Sequence, residues 1–181
     1  AHLGCSTLQA YAKVIPEYNV ATNAAAFAYG SATGTSPDKA VDGNNETSWI
    51  SANDSALRDY LVLDLGTAYS VNNIKVAVPS EVKNFTVYGS NDATQTAKTP
   101  LTNKITSLSA GTKSDLGTIL SDTAFRYIIF EQDAEADTAF GFTEIGVNTW
   151  DAKAASHTAT GVVELVSASA ACTAAKAPGS T

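Results

Sequence analysis

Six consecutive residues, Asp42-Gly43-Asn44-Asn45-Glu46-Thr47, concentrate oxygen donors in one short loop. Carboxylates, amides, a hydroxyl and backbone carbonyls suit a hard cation such as Ca2+, which takes about six to eight oxygens. Gly43 lets the backbone turn sharply there. The order is not that of an EF-hand loop, whose glycine and closing Glu fall elsewhere. An ordinary hydrogen-bonded Asp-Gly turn is the alternative reading of the same residues.

A second acidic group, Asp133, Glu135 and Asp137, places carboxylates at alternate positions. Paired carboxylates are the chemistry of glycoside hydrolysis. Nothing nearby in the sequence would raise one pKa above the other, so a solvated acidic loop accounts for them. No Gly-x-Ser-x-Gly, His-Glu-x-x-His or phosphate loop occurs. The two histidines, His2 and His157, lie toward the ends. A Ser-His-Asp triad would have to recruit His157. The expectation is a chain without a catalytic centre.

The elements that must hold these residues are short and have period two. Asp59–Gly66, Asn73–Pro79, Asn84–Ser90, Phe125–Glu131 and Phe142–Asn148 each alternate or run in β-branched and aromatic residues. They are separated by Gly, Pro, Asn and Asp, the pattern of a sandwich or jelly roll. Two more strands are predicted near Thr102–Ser107 and Ser114–Ile119, and another at Gly161–Ser167. The one helical signal is Ser36–Val41, with Ser36 capping and Pro37 at the first position.

The composition excludes several classes of function. A chain with 44% hydrophobic residues is globular rather than disordered. A net charge of −7, with eleven Lys and Arg and no basic cluster, excludes nucleic acid as a natural partner. The longest weakly polar run, Ala24–Tyr29, is far too short for a membrane span. The absence of Met and the start at Ala1 lead to the expectation that a leader has been removed. Cys5 and Cys172 then read as a disulfide stapling the termini of a secreted or cell-surface chain, with two buried thiols as the alternative. The sequons at Asn45, Asn53 and Asn84 are candidate glycosylation sites on that route.

From Asn19 to Asn148 the ordered segments resemble the discoidin or coagulation-factor C-type domain superfamily, including carbohydrate-binding module family 32. The motifs are Asn19-Val20-Ala21, Ser36-Pro37-Asp38-Lys39-Ala40-Val41-Asp42-Gly43-Asn44-Asn45-Glu46-Thr47-Ser48-Trp49, Tyr60-Leu61-Val62-Leu63-Asp64-Leu65-Gly66, Phe85-Thr86-Val87-Tyr88-Gly89-Ser90-Asn91-Asp92, Arg126-Tyr127-Ile128-Ile129-Phe130 and Thr143-Glu144-Ile145-Gly146-Val147. The resemblance implies an eight-stranded antiparallel jelly-roll β-sandwich over 19–150, with extensions at 1–18 and 151–181. It implies a non-catalytic module that binds glycans or glycoproteins through loops at one end. It also implies a structural Ca2+ held by the Asp42 side chain, the carbonyls of Lys39 and Asn44, Thr47, and Glu144 from the closing strand.

A sugar site needs an aromatic platform for the apolar ring face and polar groups for the hydroxyls. The loop candidates are Tyr29, Asn53, Arg58 and Phe140. The resemblance puts Trp49 under the loop in the core, and Phe142, which begins a strand, is a second candidate for burial. The groupings of His and Arg found in galactose- and fucose-binding members have no counterpart here. An alternative function is a self-assembling extracellular subunit, a filament or homo-oligomer built through the strand at 161–167.

Overall fold

The computed structural model describes residues 16–52, 59–119, 122–133 and 140–151. Among these residues the regular structure is strands and a single 3-10 turn, Pro37–Ala40. One antiparallel sheet contains β1 (Tyr18–Asn19), β5 (Val71–Ala77), β9 (Lys113–Thr118) and β12 (Glu144–Thr149), in the order β1-β12-β5-β9. The other contains β2 (Ala25–Ala28), β4 (Tyr60–Tyr69), β6 (Val82–Ser90), β7 (Thr99–Pro100), β8 (Ile105–Leu108) and β10 (Phe125–Gln132). Its order is β2-β4-β10-β6-β7, with β8 also on β6. A two-residue ladder joins β3 (Trp49–Ile50) to β11 (Gly141–Phe142).

The pleat explains the packing. Alternate residues of a strand face opposite ways, so Leu61, Leu63 and Ile128, Phe130 from one sheet meet Ile74, Val76 and Ile145, Val147 from the other in a single buried cluster. Where the spacing slips, the backbone absorbs it. Val82 and Phe85 are three apart yet both buried, and Asn84 between them takes φ 52. Asn is one of the few non-glycine residues that enter this region readily.

The expected antiparallel all-β jelly-roll sandwich is what folds. The described residues divide into twelve strand segments rather than eight, four of them two residues long. Bulges and turns interrupt the ladders and produce the extra segments. The strand expected to stop at Gly66 runs on to Tyr69. Gly66 takes φ 79, its N–H donates to Asp64 Oδ1, and the pairing with β10 shifts register there, so the glycine makes an irregularity rather than an end. The strand expected near Thr102 begins at Ile105, after the short β7, and the next begins one residue early at Lys113. Pro37 opens the 3-10 turn as expected, but Ser36 makes no side-chain cap. Its hydroxyl instead helps hold the Asp38 carboxyl below its ordinary range. No helix among the described residues is long and apolar enough to cross a membrane. The strand expected at 161–167 lies outside the described residues.

Candidate functional site

The Asp42 loop is tied together by its own oxygens. The Asp42 carboxylate accepts from the Asn44 N–H at 2.9 Å and from the Thr47 hydroxyl at 2.8 and 3.0 Å. The Asn44 carbonyl accepts from the Thr47 N–H at 3.3 Å and from its hydroxyl at 3.0 Å. Gly43, with φ 74, turns its N–H to Glu144 Oε2 at 3.1 Å, 101 residues away at the start of β12. Asp42, Asn44, Thr47 and Glu144 are therefore brought to one place. Lys39 joins them with its ammonium 3.5 Å from Asp42 Oδ2.

The electrostatics of that place are unbalanced. Glu144 is only 8% exposed. Burial pushes its carboxyl above the usual carboxylate range, the neighbouring Asp42 charge adds to the rise, and the Gly43 N–H opposes it. Asp42 moves the other way, held low by the Asn44 N–H, the Thr47 hydroxyl and Lys39. Two carboxylates, one of them buried, face each other across a loop whose other groups supply carbonyl and hydroxyl oxygens. That donor set fits a hard divalent cation, which would relieve the strain on Glu144. Among the described residues no three His, Cys, Asp or Glu side chains come together. Any cation here would rely on neutral oxygens to complete its shell.

A second feature lies where the chain leaves β2. Ala32 N donates to Ile50 O at 2.9 Å, the Trp49 indole N–H donates to Ser31 Oγ at 2.9 Å, and Ser31 bridges Ser51. Ser51 N donates to Phe140 O at 2.7 Å, and Ser51 Oγ donates to Asp59 Oδ2 at 2.7 Å. Gln132 N donates to Asp59 O at 2.9 Å. The stems of three connections are thus sewn to one another at one end of the sandwich. Gly30 allows a close approach, since a Cβ there would lie 3.0 Å from Ala52 Cβ. Beside it Tyr29 stands 57% exposed.

The expected contact residues separate on this frame. Tyr29 is a surface ring at the sewn end. Phe140 is not a contact residue: it is fully buried. Its ring meets Trp49, Phe85 and Phe142 edge-on, with centroids 5.9, 5.9 and 5.2 Å away. The Phe140 carbonyl is held by Ser51, and this fixes the side chain inward. Trp49 and Phe142 are core, as expected. Asn53 and Arg58 lie outside the described residues, as do Cys5, Cys172, Glu135 and Asp137. Asp133 is ion-paired with Lys104. Asn45 is exposed, whereas the Asn84 sequon lies inside β6 with its middle residue, Phe85, fully buried. Phe27, the other strongly exposed ring of this edge, is not marked by any loop context in the sequence. The signal was its place two residues before Tyr29.

The sequence profile of the F5/8 type C domain matches residues 21–143. The chain therefore belongs to this family, the discoidin domains. Its solved structural neighbours include chitosan-binding module 1 of a chitosanase/glucanase from Paenibacillus sp. IK-5, at 25% identity and a TM-score of 0.61, covering 72% of this chain and 98% of that one. The family 32 carbohydrate-binding module of C. perfringens NanJ, solved with galactose, matches at 16% identity and a TM-score of 0.58, covering 74% and 99%. A fucolectin from striped bass (Morone saxatilis) serum matches at 15% and 0.65, covering 74% of this chain and 49% of that one. No curated protein matches the chain in sequence.

Proposed function

We propose that this discoidin domain is a secreted carbohydrate-binding module without a catalytic centre, whose sugar site is the sewn loop end around Tyr29. The observation that carries the reading is a large aromatic ring left 57% exposed on a stem fixed by backbone hydrogen bonds. Such a ring offers a flat apolar face to the C–H side of a sugar at little entropic cost. Similarity to a chitosan-binding module at 25% identity supports the same ligand class.

The proposal includes a structural Ca2+. Asp42, Thr47, Glu144 and the carbonyls of Lys39 and Asn44 would hold it, and it would supply positive charge between the two carboxylates. The protein's own groups do the rest. Gly43 pins the loop to β12, and Trp49, just beyond the loop, anchors Ser31 near the exposed ring.

The test is a glycan array probed with the purified chain in Ca2+, followed by titration of its strongest hit. Tyr29→Ala should weaken that hit about tenfold, near the upper end of what one stacked ring contributes, or roughly 1.4 kcal/mol. An array without hits, or an unchanged affinity in the variant, refutes the reading.

A further inference from the structure

β2 is the edge strand of the six-stranded sheet, and its two sides differ. Ala26 and Ala28 turn inward onto the core. Phe27 takes the opposite face, and the next residue on that side is Tyr29. Both rings are 57% exposed. At about 3.3 Å per residue the two positions are ~7 Å apart along the strand.

The open apolar surface here is confined to these two rings, because the row beside them is closed over. In register across the sheet, Phe27 opposes Val62, Val62 opposes Ile129, and Ile129 opposes Tyr88. Val62 and Ile129 are only 2% and 1% exposed, yet neither belongs to the cluster between the sheets. They lie beneath the outer face, already covered, and add no open apolar surface of their own. With strands ~4.8 Å apart, the row from Phe27 to Tyr88 spans ~14 Å. The charged groups along it are already matched: Arg126 grips Asp64 with two hydrogen bonds, and Lys98 pairs Glu131 while lying 4.6 Å over the Tyr88 ring.

These facts choose among occupants. A full Phe or Tyr side chain buries about 150–250 Å². Two of them, each partly covered, leave roughly 200 Å² to gain, far below the ~800 Å² per partner of a standard protein interface. The charges beside the rings are paired with one another, so the patch itself holds no local excess of one sign to recruit a charged macromolecule. A neutral chain of rings with apolar faces and hydroxyl edges matches both the small area and the balanced charge.

We propose that the loop-end site continues along β2, with Phe27 as a second stacking position, so that the ligand is a run of linked sugars rather than one terminal residue. This rests on the sugar-binding reading of Tyr29.

The experiment is calorimetric titration of the full chain in Ca2+. The probes are glucose, galactose, glucosamine and N-acetylglucosamine, each as the monosaccharide and as its β-1,4-linked hexasaccharide. In the wild type at least one hexasaccharide should bind about tenfold tighter than its monosaccharide. Phe27→Ala and Phe27→Gln should collapse that ratio toward one, and Phe27→Tyr should keep it. A wild-type ratio near one, or a ratio unchanged in Phe27→Ala, overturns the extended platform while leaving the loop-end site standing. A wild type that binds none of the eight probes overturns the platform and counts against the sugar reading itself.

Discussion

Replacing Glu144 by Gln removes one negative charge at the meeting of the Asp42 loop and β12 while keeping the shape and one acceptor oxygen for the Gly43 N–H. Without metal, the wild-type carboxylate is a burden, because it is buried and faces Asp42. Its pKa in the folded chain lies above the ordinary value of 4.5, so the folded state holds a proton more readily than the unfolded state. Stability therefore falls as pH rises through the window above 4.5, and the Gln variant should lack that fall. Asp64, held low by Arg126, and Asp92, held low by the hydroxyls of Thr96 and Thr94, act in the opposite sense. Their contributions are present above 3.8 and are lost as pH drops below it. On these groups' account the metal-free wild type should thus be most stable between 3.8 and 4.5, within the ordinary carboxylate range. Calcium bound as proposed would reverse the sign at Glu144. Extracellular Ca2+ modules bind with Kd of about 10⁻⁴–10⁻³ M. At that affinity, 10 mM Ca2+ stabilises the fold by about 1.4–2.7 kcal/mol. For a domain of this size that is a rise in Tm of roughly 5–10 °C. Differential scanning calorimetry at pH 7 should show this rise in the wild type and its loss in Glu144→Gln. In chelator the variant should melt no lower than the wild type. A wild type indifferent to Ca2+, or a variant that melts well below it in chelator, would sink both the metal assignment and the electrostatic argument beneath it.

Two further predictions test the packing that positions the loops. Phe140→Ala empties the centre of the ring cluster and should cost about 3–5 kcal/mol in urea unfolding. A cost under about 1 kcal/mol would return Phe140 to the surface role its sequence context suggests. Gly89→Ala places a Cβ 2.5 Å from the Phe125 ring and should destabilise by about 1–3 kcal/mol. Adding Phe125→Leu should recover part of that loss, and strictly additive costs would show that the two residues do not touch.

The sandwich was legible because its strands alternate, and alternation is a direct imprint of the pleat. Leu61, Leu63 and Leu65, or Ile145 and Val147, announce an inner face by themselves. The Asp42 loop was legible as a concentration of oxygens, but its partner was not: Glu144 is 101 residues away, and only the family resemblance joined them. Phe140 misled because it stands between an acidic stretch and Gly141, a context that reads as an exposed loop. What buries it is the β3–β11 ladder, where Gly141 lets the backbone pass so close that a Cβ would fall 2.5 Å from the Trp49 carbonyl oxygen. Phe27 was hidden for the opposite reason. Its inward neighbours are alanines, so the run from Ala24 to Tyr29 shows no contrast between its faces.

β1 and β12 lie side by side, Tyr18 opposite Thr149 and Asn19 opposite Asn148. The described unit is entered and left through neighbouring strands that run in opposite directions, so its two flanks emerge at the same end of one ladder. Tension transmitted through those flanks would pull the strands apart sideways, peeling the ladder open one hydrogen bond at a time rather than shearing several at once. The Tyr18–Thr149 end of the ladder would yield first, followed by the Val20 N–H bond to the Val147 carbonyl and the Asn19 side-chain oxygen, which holds the N–H groups of both Ala21 and Val147. The loop end with Tyr29 is stitched by a separate set of bonds. The geometry makes a module that opens readily under tension at its own ends while the Tyr29 end stays set.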